Sequence, residues 1–157
     1  MTQQLSEHRH ISFTAHYTGY IWYSMGISHP VFATSKGKML AKLVHPLESW
    51  AEKFVGGSMR TTLKQRHSMI DQHLIQLIEQ HPDLQVLEIA SGLSPRGWNF
   101  RQKFPNLDYR ELDLPDMARV KTQALQKIDC NSPEVLSVDL FTADFEQAFQ
   151  VFDPTRP

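Results

Sequence analysis

Two glycines and one carboxylate carry the clearest chemical signal in the sequence. Gly92 lies in a turn after an apolar run, and Gly97 lies where the next helix is expected to begin. Because glycine has no side chain, it lets backbone amides approach a bound group closely. Asp113 lies 21 positions past Gly92, close to the offset of about 20 residues at which an acid accepts the ribose hydroxyls of a nucleotide. This spacing predicts a nucleotide-cofactor site.

The same residues also have ordinary structural interpretations. Gly92 could serve a plain strand-to-helix turn, and Asp113 could cap the helix expected after Pro115. Because a cap lies just before the first helical residue, Leu114 fits that position better than Asp113 does. These alternatives stay open, although the spacing favours the cofactor.

The elements that would position these residues follow from the spacing of apolar side chains. The predicted helices cover 36–55, 61–80, 98–104, 115–128 and a short stretch within 141–152. The predicted strands cover 84–90, 107–113 and 134–140. Two helices thus precede the sheet, separated by a helix stop at 56–58. Strands that alternate with helices indicate a parallel, doubly wound α/β sheet.

The carboxyl ends of these strands are the expected binding region, because ligands of such sheets bind there. The segment 88–97, Asp113 and the pair Asp139–Leu140 all fall at predicted strand ends. The helix over 61–80 carries an apolar stripe that we expect to lie against the sheet. Its members are Ile70, Leu74, Leu77 and Ile78.

The composition excludes several classes of protein. The chain has 157 residues, 41% of them hydrophobic, which suits one compact domain. Its 16 basic and 17 acidic residues leave a net charge of -1, so no strong field attracts nucleic acid or a membrane surface. Cys130 is the single cysteine, and no run approaches the ~20 apolar residues of a membrane helix. We expect a cytoplasmic protein.

Several short motifs occur in a fixed order along the chain. They are SFTA at 12–15, Arg66 with Ile70 and Asp71, VLEIASGLSPR at 86–96, and ELDLP at 111–115. In this order they resemble the leucine carboxyl methyltransferase family, in its bacterial O-methyltransferase branch. FDPTRP at 152–157 is similar to the segment before that family's fourth strand. The resemblance spans about residues 11–157.

The resemblance implies a Rossmann-like class I methyltransferase fold that uses S-adenosylmethionine. The methyl acceptor would be a carboxylate or hydroxyl of a small molecule or protein. Such a transfer depends on positioning and desolvation of the acceptor, so no metal is expected. The residues that match the family's cofactor positions are Arg66, Ala90, Ser91, Gly92, Asp113, Asp139 and Leu140.

Each implied role matches the chemistry of its residue type. By the resemblance, 90–92 would wrap the methionine part of the cofactor, and Asp113 would hold the ribose. Arg66 would pair with the cofactor carboxylate, because a guanidinium fork suits that group. The pair Asp139–Leu140 would border the adenine, with the acid facing its amino group. Without the resemblance, Arg66 would equally be a solvated residue on a helix surface.

The chain departs from the family in two respects. Ala90 stands where the family has glycine, and alanine fits there only if its φ is negative.

The family's sheet also continues beyond the predicted strands, so we expect a truncated or split form. Residues 1–82 would form an amino-terminal helical cap or lid, and 83–157 the first half of the α/β domain. The first strand would then have an unpaired edge, open to self-association or a complementing fragment.

Aromatic residues are dense in the amino-terminal segment. They are Tyr17, Tyr20, Trp22, Tyr23 and Phe32, with Met25 beside them. This cluster could close over the methyl acceptor or could simply pack a core. Both interpretations stay open.

Other chemistries fit less well. The segment 92–97 departs from a hydrolase nucleophile elbow, because its second glycine comes one residue late and a proline follows Ser94. A nicotinamide dinucleotide domain would need three fingerprint glycines where two occur. His67, Asp71 and His73 share a helix but not one face, which argues against a metal site. The remaining candidates are a methyltransferase half-domain and a noncatalytic cofactor-binding or interaction module derived from one.

Overall fold

The computed structural model describes residues 2–55, 59–128, 131–139, 146 and 149–157. The predicted helix stop at 56–58, Cys130, Leu140 and most of the helix predicted within 141–152 lie outside the described residues. The elements are α1 (Thr2–Ser24), a 3-10 helix (Pro30–Phe32), α2 (Ser35–Val55), α3 (Met59–Gln80), β1 (Gln85–Ile89), α4 (Arg96–Lys103), β2 (Asp108–Asp113), α5 (Pro115–Leu125) and β3 (Glu134–Ser137). None of the described helices combines the length and apolar character needed to cross a membrane.

A parallel sheet flanked by helices confirms the predicted fold class. The described strands form one three-stranded sheet in the order β1-β2-β3. In register, Ile89 lies beside Leu112, and Asp113 lies beside Ser137. The carboxyl ends of all three strands therefore meet at one edge, where the loops from β1 and β2 leave the sheet.

The amino-terminal region differs from the prediction, because three long helices precede the sheet rather than two. Polar and apolar residues alternate irregularly along α1, so its sequence lacks a single apolar stripe. Tertiary packing stabilises α1 instead, since Tyr17 and Ile21 share a core cluster with Leu40 and Ala41 of α2. The two helices cross closely at Gly37, where a Cβ would lie 2.1 Å from the carbonyl oxygen of His16.

The apolar stripe of α3 packs on the sheet over part of its length. Leu74 and Ile78 join a core cluster with Phe100, Leu107 and Tyr109. Ile70, at the other end of the stripe, is 42% exposed, so the prediction for that residue is wrong. The reason lies in the sheet, because β1 is an outer strand of the described sheet and has no neighbouring strand for that end of α3 to cover.

A third core cluster joins the loop after β1 to α5. Leu93 packs there with Phe32, Met117, Ala124 and Leu125. Leu114 is the cap residue of α5 and Pro115 its first helical position, which confirms the predicted start of this helix. Proline fits this position because the amide that it lacks would have no partner inside the helix. The loop and the helix that follows β2 are therefore fixed to one core.

Candidate functional site

The loop between β1 and α4 makes a tight left-handed turn. Ala90 has a φ of 54° and Gly92 a φ of 53°. Glycine adopts this region freely, whereas alanine is strained there because its Cβ crowds the backbone. Ala90 therefore lacks the negative φ that alanine adopts without strain. The amide of Ser94 donates to the carbonyl oxygen of Ser91 at 2.9 Å and closes the turn.

Gly92 brings this loop against the amino-terminal helix. A Cβ built on Gly92 would lie 3.1 Å from the Cβ of Ala15 in α1. The missing side chain therefore serves a close helix contact as well as the positive φ. The plain-turn interpretation of Gly92 is incomplete, because the turn also docks α1 over the end of the sheet.

Asp113 holds the loop through its carboxylate. Oδ2 accepts the amide of Gly92 at 2.6 Å, and Oδ1 accepts the amide of Leu114 at 2.8 Å. The residue is only 5% exposed. No side-chain cap of α5 is formed, so Asp113 does not play the capping role considered above. Each oxygen keeps a second lone pair, which leaves the carboxylate able to accept from a ligand hydroxyl.

A cavity of about 640 Å³ lies between α1, α3 and the carboxyl end of the sheet. Five of the seven predicted cofactor residues line it, namely Arg66, Ala90, Ser91, Gly92 and Asp113. Asp139 follows β3 and is not among the residues that line this cavity. Leu140 lies outside the described residues. The structure thus brings five of the predicted cofactor residues to one cavity, and Asp139 is not among the residues that line it.

Arg66 lies on α3 at the rim of the cavity. Its side chain is exposed, and it makes no ion pair with any described residue. A guanidinium without a protein partner is available for a ligand carboxylate, which it can bind through two parallel hydrogen bonds. The position is compatible with the role that the resemblance implied.

A network around Arg96 was missed by the sequence analysis. Its guanidinium donates to Asp71 Oδ1 at 2.6 Å, to Glu88 Oε1 at 2.8 Å and to His67 Nδ1 at 3.0 Å. The hydroxyl of Tyr109 donates to Glu88 Oε2 at 2.8 Å. Asp71, Glu88 and Arg96 all lie in the motifs. Glu88 is eight residues from Arg96 and Asp71 is 25 residues from it, and no local pattern indicates that they pair. The network joins α3, β1, β2 and α4.

The charges in this network are set by burial and by one another. Burial lowers the pKa of His67, and the neighbouring Arg96 lowers it further. His67 is therefore neutral, with Nδ1 accepting from Arg96 and Nε2 3.3 Å from Asp71 Oδ2. Burial lowers the pKa of Arg96, but Glu88 and Asp71 outweigh that effect and raise it overall. One guanidinium thus faces two carboxylates, and the network carries a net negative charge beside the cavity.

Only part of the predicted aromatic lid faces the cavity. Trp22 lines it, and its ring centre lies 5.8 Å from that of His67. Tyr17 and Phe32 are buried in core clusters, where they pack rather than bind. Within the described part of the chain, Trp22 Nε1 and Ser91 Oγ are buried without a hydrogen-bond partner. Two buried polar groups beside the cavity therefore have no hydrogen-bond partner among the described residues.

The hydrolase alternative receives no support from the geometry. Ser94 is 3% exposed, and its hydroxyl accepts the amide of Arg96 at 3.3 Å. A nucleophile elbow would instead present its serine at the top of the turn. Among the residues that the structure describes, no group of three histidine, cysteine or acidic side chains is arranged to hold a metal.

Comparison with known proteins agrees with this geometry. The family model of leucine carboxyl methyltransferase matches residues 29–157, which include the loop after β1 and Asp113. The match begins after the SFTA motif at 12–15. Searches of curated proteins and of solved structures gave no match. Since the family model covers most of the sequence, the chain belongs to the leucine carboxyl methyltransferase family.

Proposed function

We propose that the chain binds S-adenosylmethionine in the cavity at the end of the sheet, as part of an O-methyltransferase. The observation that carries this proposal is the convergence of Arg66, the 90–92 turn and Asp113 on one cavity. A volume of about 640 Å³ lies within the usual range for small-molecule and cofactor sites. The family to which the chain belongs supplies the reaction class.

The charges around the cavity suit this cofactor. S-adenosylmethionine carries a carboxylate and a sulfonium cation. Arg66 has no protein partner within the described residues and can take the carboxylate. The excess negative charge of Glu88 and Asp71 over Arg96 favours a cation nearby. Arg66 would therefore complement the carboxylate of S-adenosylmethionine, and the Glu88–Asp71 pair would complement its sulfonium cation.

The proposed reaction is methyl transfer to a carboxylate or hydroxyl oxygen. The bound cofactor would supply the methyl group, and the protein would supply position and a dry site. Trp22 and the adjoining face of α1 would shield the cavity from water, while Asp113 and the 90–92 turn would fix the binding geometry. Small-molecule and protein acceptors both fit this scheme.

Calorimetry with S-adenosylmethionine tests the binding step directly. We expect saturable binding of S-adenosylmethionine and no binding of NAD, which is the matched nucleotide control. Arg66→Ala should weaken the binding, because it removes a charged hydrogen bond worth about 1.5–3 kcal/mol. Absence of any heat with S-adenosylmethionine would overturn the proposal.

A noncatalytic interaction module is the second candidate, favoured by the free edge of β1. Among the described strands, β1 pairs with β2 alone. On its other side, the amide of Gln85 donates to the carbonyl oxygen of Pro157 at 2.8 Å. Because amides alternate along a strand, those of Leu87 and Ile89 face the same open side. We propose that a complementing apolar strand from a partner polypeptide binds there.

Activity and oligomeric state separate the two candidates. A noncatalytic module should transfer no methyl group even with a partner polypeptide bound, and sedimentation should reveal association through the β1 edge. Leu87→Lys would place a charge on that strand and should reduce the association. A monodisperse monomer that methylates a small acid or phenol without a partner would refute the noncatalytic module.

A further inference from the structure

One fully buried ion pair lies against the cofactor loop, and neither of its side chains lines the cavity. Lys121 Nζ of α5 lies 2.8 Å from Glu111 Oε2 of β2, and both side chains are 0% exposed. Desolvation of two charges is expensive, and apolar side chains often stabilise a core equally well or better. Stability alone therefore does not explain why this position holds an ion pair.

The ammonium of Lys121 reaches the loop itself. Nζ donates to the carbonyl oxygen of Ser94 and also lies 5.1 Å from the centre of the Phe32 ring. Ser94 is the residue that closes the turn, since its amide donates to Ser91. Ser91, Gly92 and Ser94 all line the cavity. Lys121 thus holds, through the Ser94 carbonyl oxygen, a segment that lines the cavity.

Glu111 locates the ammonium and also contacts the start of α4. A Cβ built on Gly97 would lie 2.2 Å from Glu111 Oε1 and 2.9 Å from the Tyr109 ring. Gly97 therefore lets α4 begin directly against the buried carboxylate. Neither oxygen of Glu111 accepts a well-aligned hydrogen bond from the described residues, so its close contact is the ion pair. Its position keeps Lys121 aimed at the turn.

We propose that Lys121 is a positioning residue for the cofactor, which it serves by holding the Ser91–Ser94 turn in its binding conformation. Glu111 assists by fixing the ammonium below Ser94. This inference rests on the proposed function in one respect, since the ligand is taken to be S-adenosylmethionine. The loop contact itself is independent of the ligand, and it can be tested without one.

A paired substitution separates this role from simple stabilisation. Lys121→Met combined with Glu111→Leu removes both charges, and the Ser94 carbonyl oxygen is the group that loses its donor. Because an apolar pair can replace a buried ion pair without loss, the melting temperature should stay close to that of the wild type. Affinity for S-adenosylmethionine should nevertheless fall about tenfold, as expected for one lost hydrogen bond to a charged donor. Lys127→Met removes an exposed charge just beyond α5 and is the matched control.

Amide hydrogen exchange provides a readout that needs no ligand. In the paired variant, the amides of Gly92 and Ser94 should exchange about tenfold faster, because the turn opens more often. The amides of β2 should be unaffected. If the paired variant does not fold, Lys121→Gln combined with Glu111→Gln keeps two amides that can bond to each other, while the shorter side chain at 121 no longer reaches Ser94.

The outcomes are distinct. Faster loop exchange together with weaker S-adenosylmethionine binding supports the inference. Faster loop exchange in a protein whose wild type binds no S-adenosylmethionine overturns the proposed function but leaves Lys121 as the residue that fixes the loop. A folded paired variant with wild-type loop exchange and wild-type affinity overturns the positioning role.

Discussion

Two ionic clusters flank the loop after β1, and they differ in exposure and in the number of their partners. The Arg96 cluster faces the cavity, and the side chains of Arg96, Glu88 and Asp71 are 11%, 14% and 26% exposed. The Lys121–Glu111 pair lies behind the loop with no exposed surface. Arg96 joins three side chains by hydrogen bonds, whereas Lys121 has one carboxylate and one backbone carbonyl.

The loop is thus fixed from two sides. The Arg96 cluster keeps access to solvent and bears a net negative charge, which suits the cation of the proposed cofactor. The buried pair does not line the cavity, and it contacts the loop backbone. Burial raises the pKa of Glu111 to about 7, although Lys121 opposes the shift.

Loss of Arg96 should be the most damaging change. Arg96→Ala leaves Asp71 and Glu88 side by side without a cation, and we expect a loss of about 3–5 kcal/mol in unfolding free energy, as for breaking a buried pair. Urea denaturation measures the effect. Arg119→Ala is the control, because its pair with Asp116 is exposed and should contribute less than about 1 kcal/mol. Equal losses in the two variants would contradict the structural role of the cluster.

The buried pair should make stability depend on pH. Burial raises the pKa of Glu111 from 4.5 to about 7, with Glu88 and Asp113 adding to the shift and Lys121 opposing it. Between these values the folded state binds more protons than the unfolded state, so the contribution of Glu111 to stability falls as pH rises from 4.5 to 7. The difference in unfolding free energy between wild type and Glu111→Gln should decrease across that range. A constant or increasing difference would show that Glu111 titrates elsewhere.

Asp113 should affect the ligand as well as the loop. Asp113→Ala removes the acceptor for Gly92 and Leu114, and we expect S-adenosylmethionine binding to weaken by on the order of 1–3 kcal/mol. Calorimetry measures the loss, and amide exchange at Gly92 measures loosening of the turn. Asp116→Ala, three residues further along and exposed, is the matched control. Unchanged affinity in the Asp113 variant would refute its assignment to the ribose.

The smallest effect is expected at Ala90, where the backbone is strained. Its φ of 54° suits glycine, so Ala90→Gly should stabilise the fold by about 0.5–1 kcal/mol despite the greater freedom of glycine in the unfolded chain. Thermal unfolding measures the change. Ala118→Gly, inside α5, should have the opposite sign and cost about 1 kcal/mol. Destabilisation at Ala90 would indicate that the loop does not hold this φ in solution.

Sequence reasoning went furthest where a property depends on neighbours along the chain. Short apolar runs gave β1, β2 and β3 within a few residues, and Pro115 located the start of α5. Gly92 and Asp113 were paired from their spacing alone, and they are in direct contact in the structure. This prediction was confirmed because consecutive strands of a parallel sheet end at the same edge. Residues at the ends of neighbouring strands therefore lie close together in space, although they are about 20 positions apart in sequence.

The helix α1 was missed because its helical order comes from packing on α2 and on the loop rather than from its own pattern. The pairing of Arg96 with Glu88, eight residues away, and with Asp71, 25 residues away, was missed because it depends on how the loop after β1 and α3 pack together. Asp71 reaches Arg96 only because α3 crosses behind β1.

The sequence on its own predicted the family, the order of the strands and the contact between Gly92 and Asp113. Which polar groups meet around the loop after β1 depended on the tertiary structure, since Lys121 is 27 residues from Ser94 and Arg96 is 25 residues from Asp71. The physical reason is that local pattern fixes the path of the backbone over a few residues. Burial and ion pairing depend instead on side chains that come together only after the helices pack on the sheet.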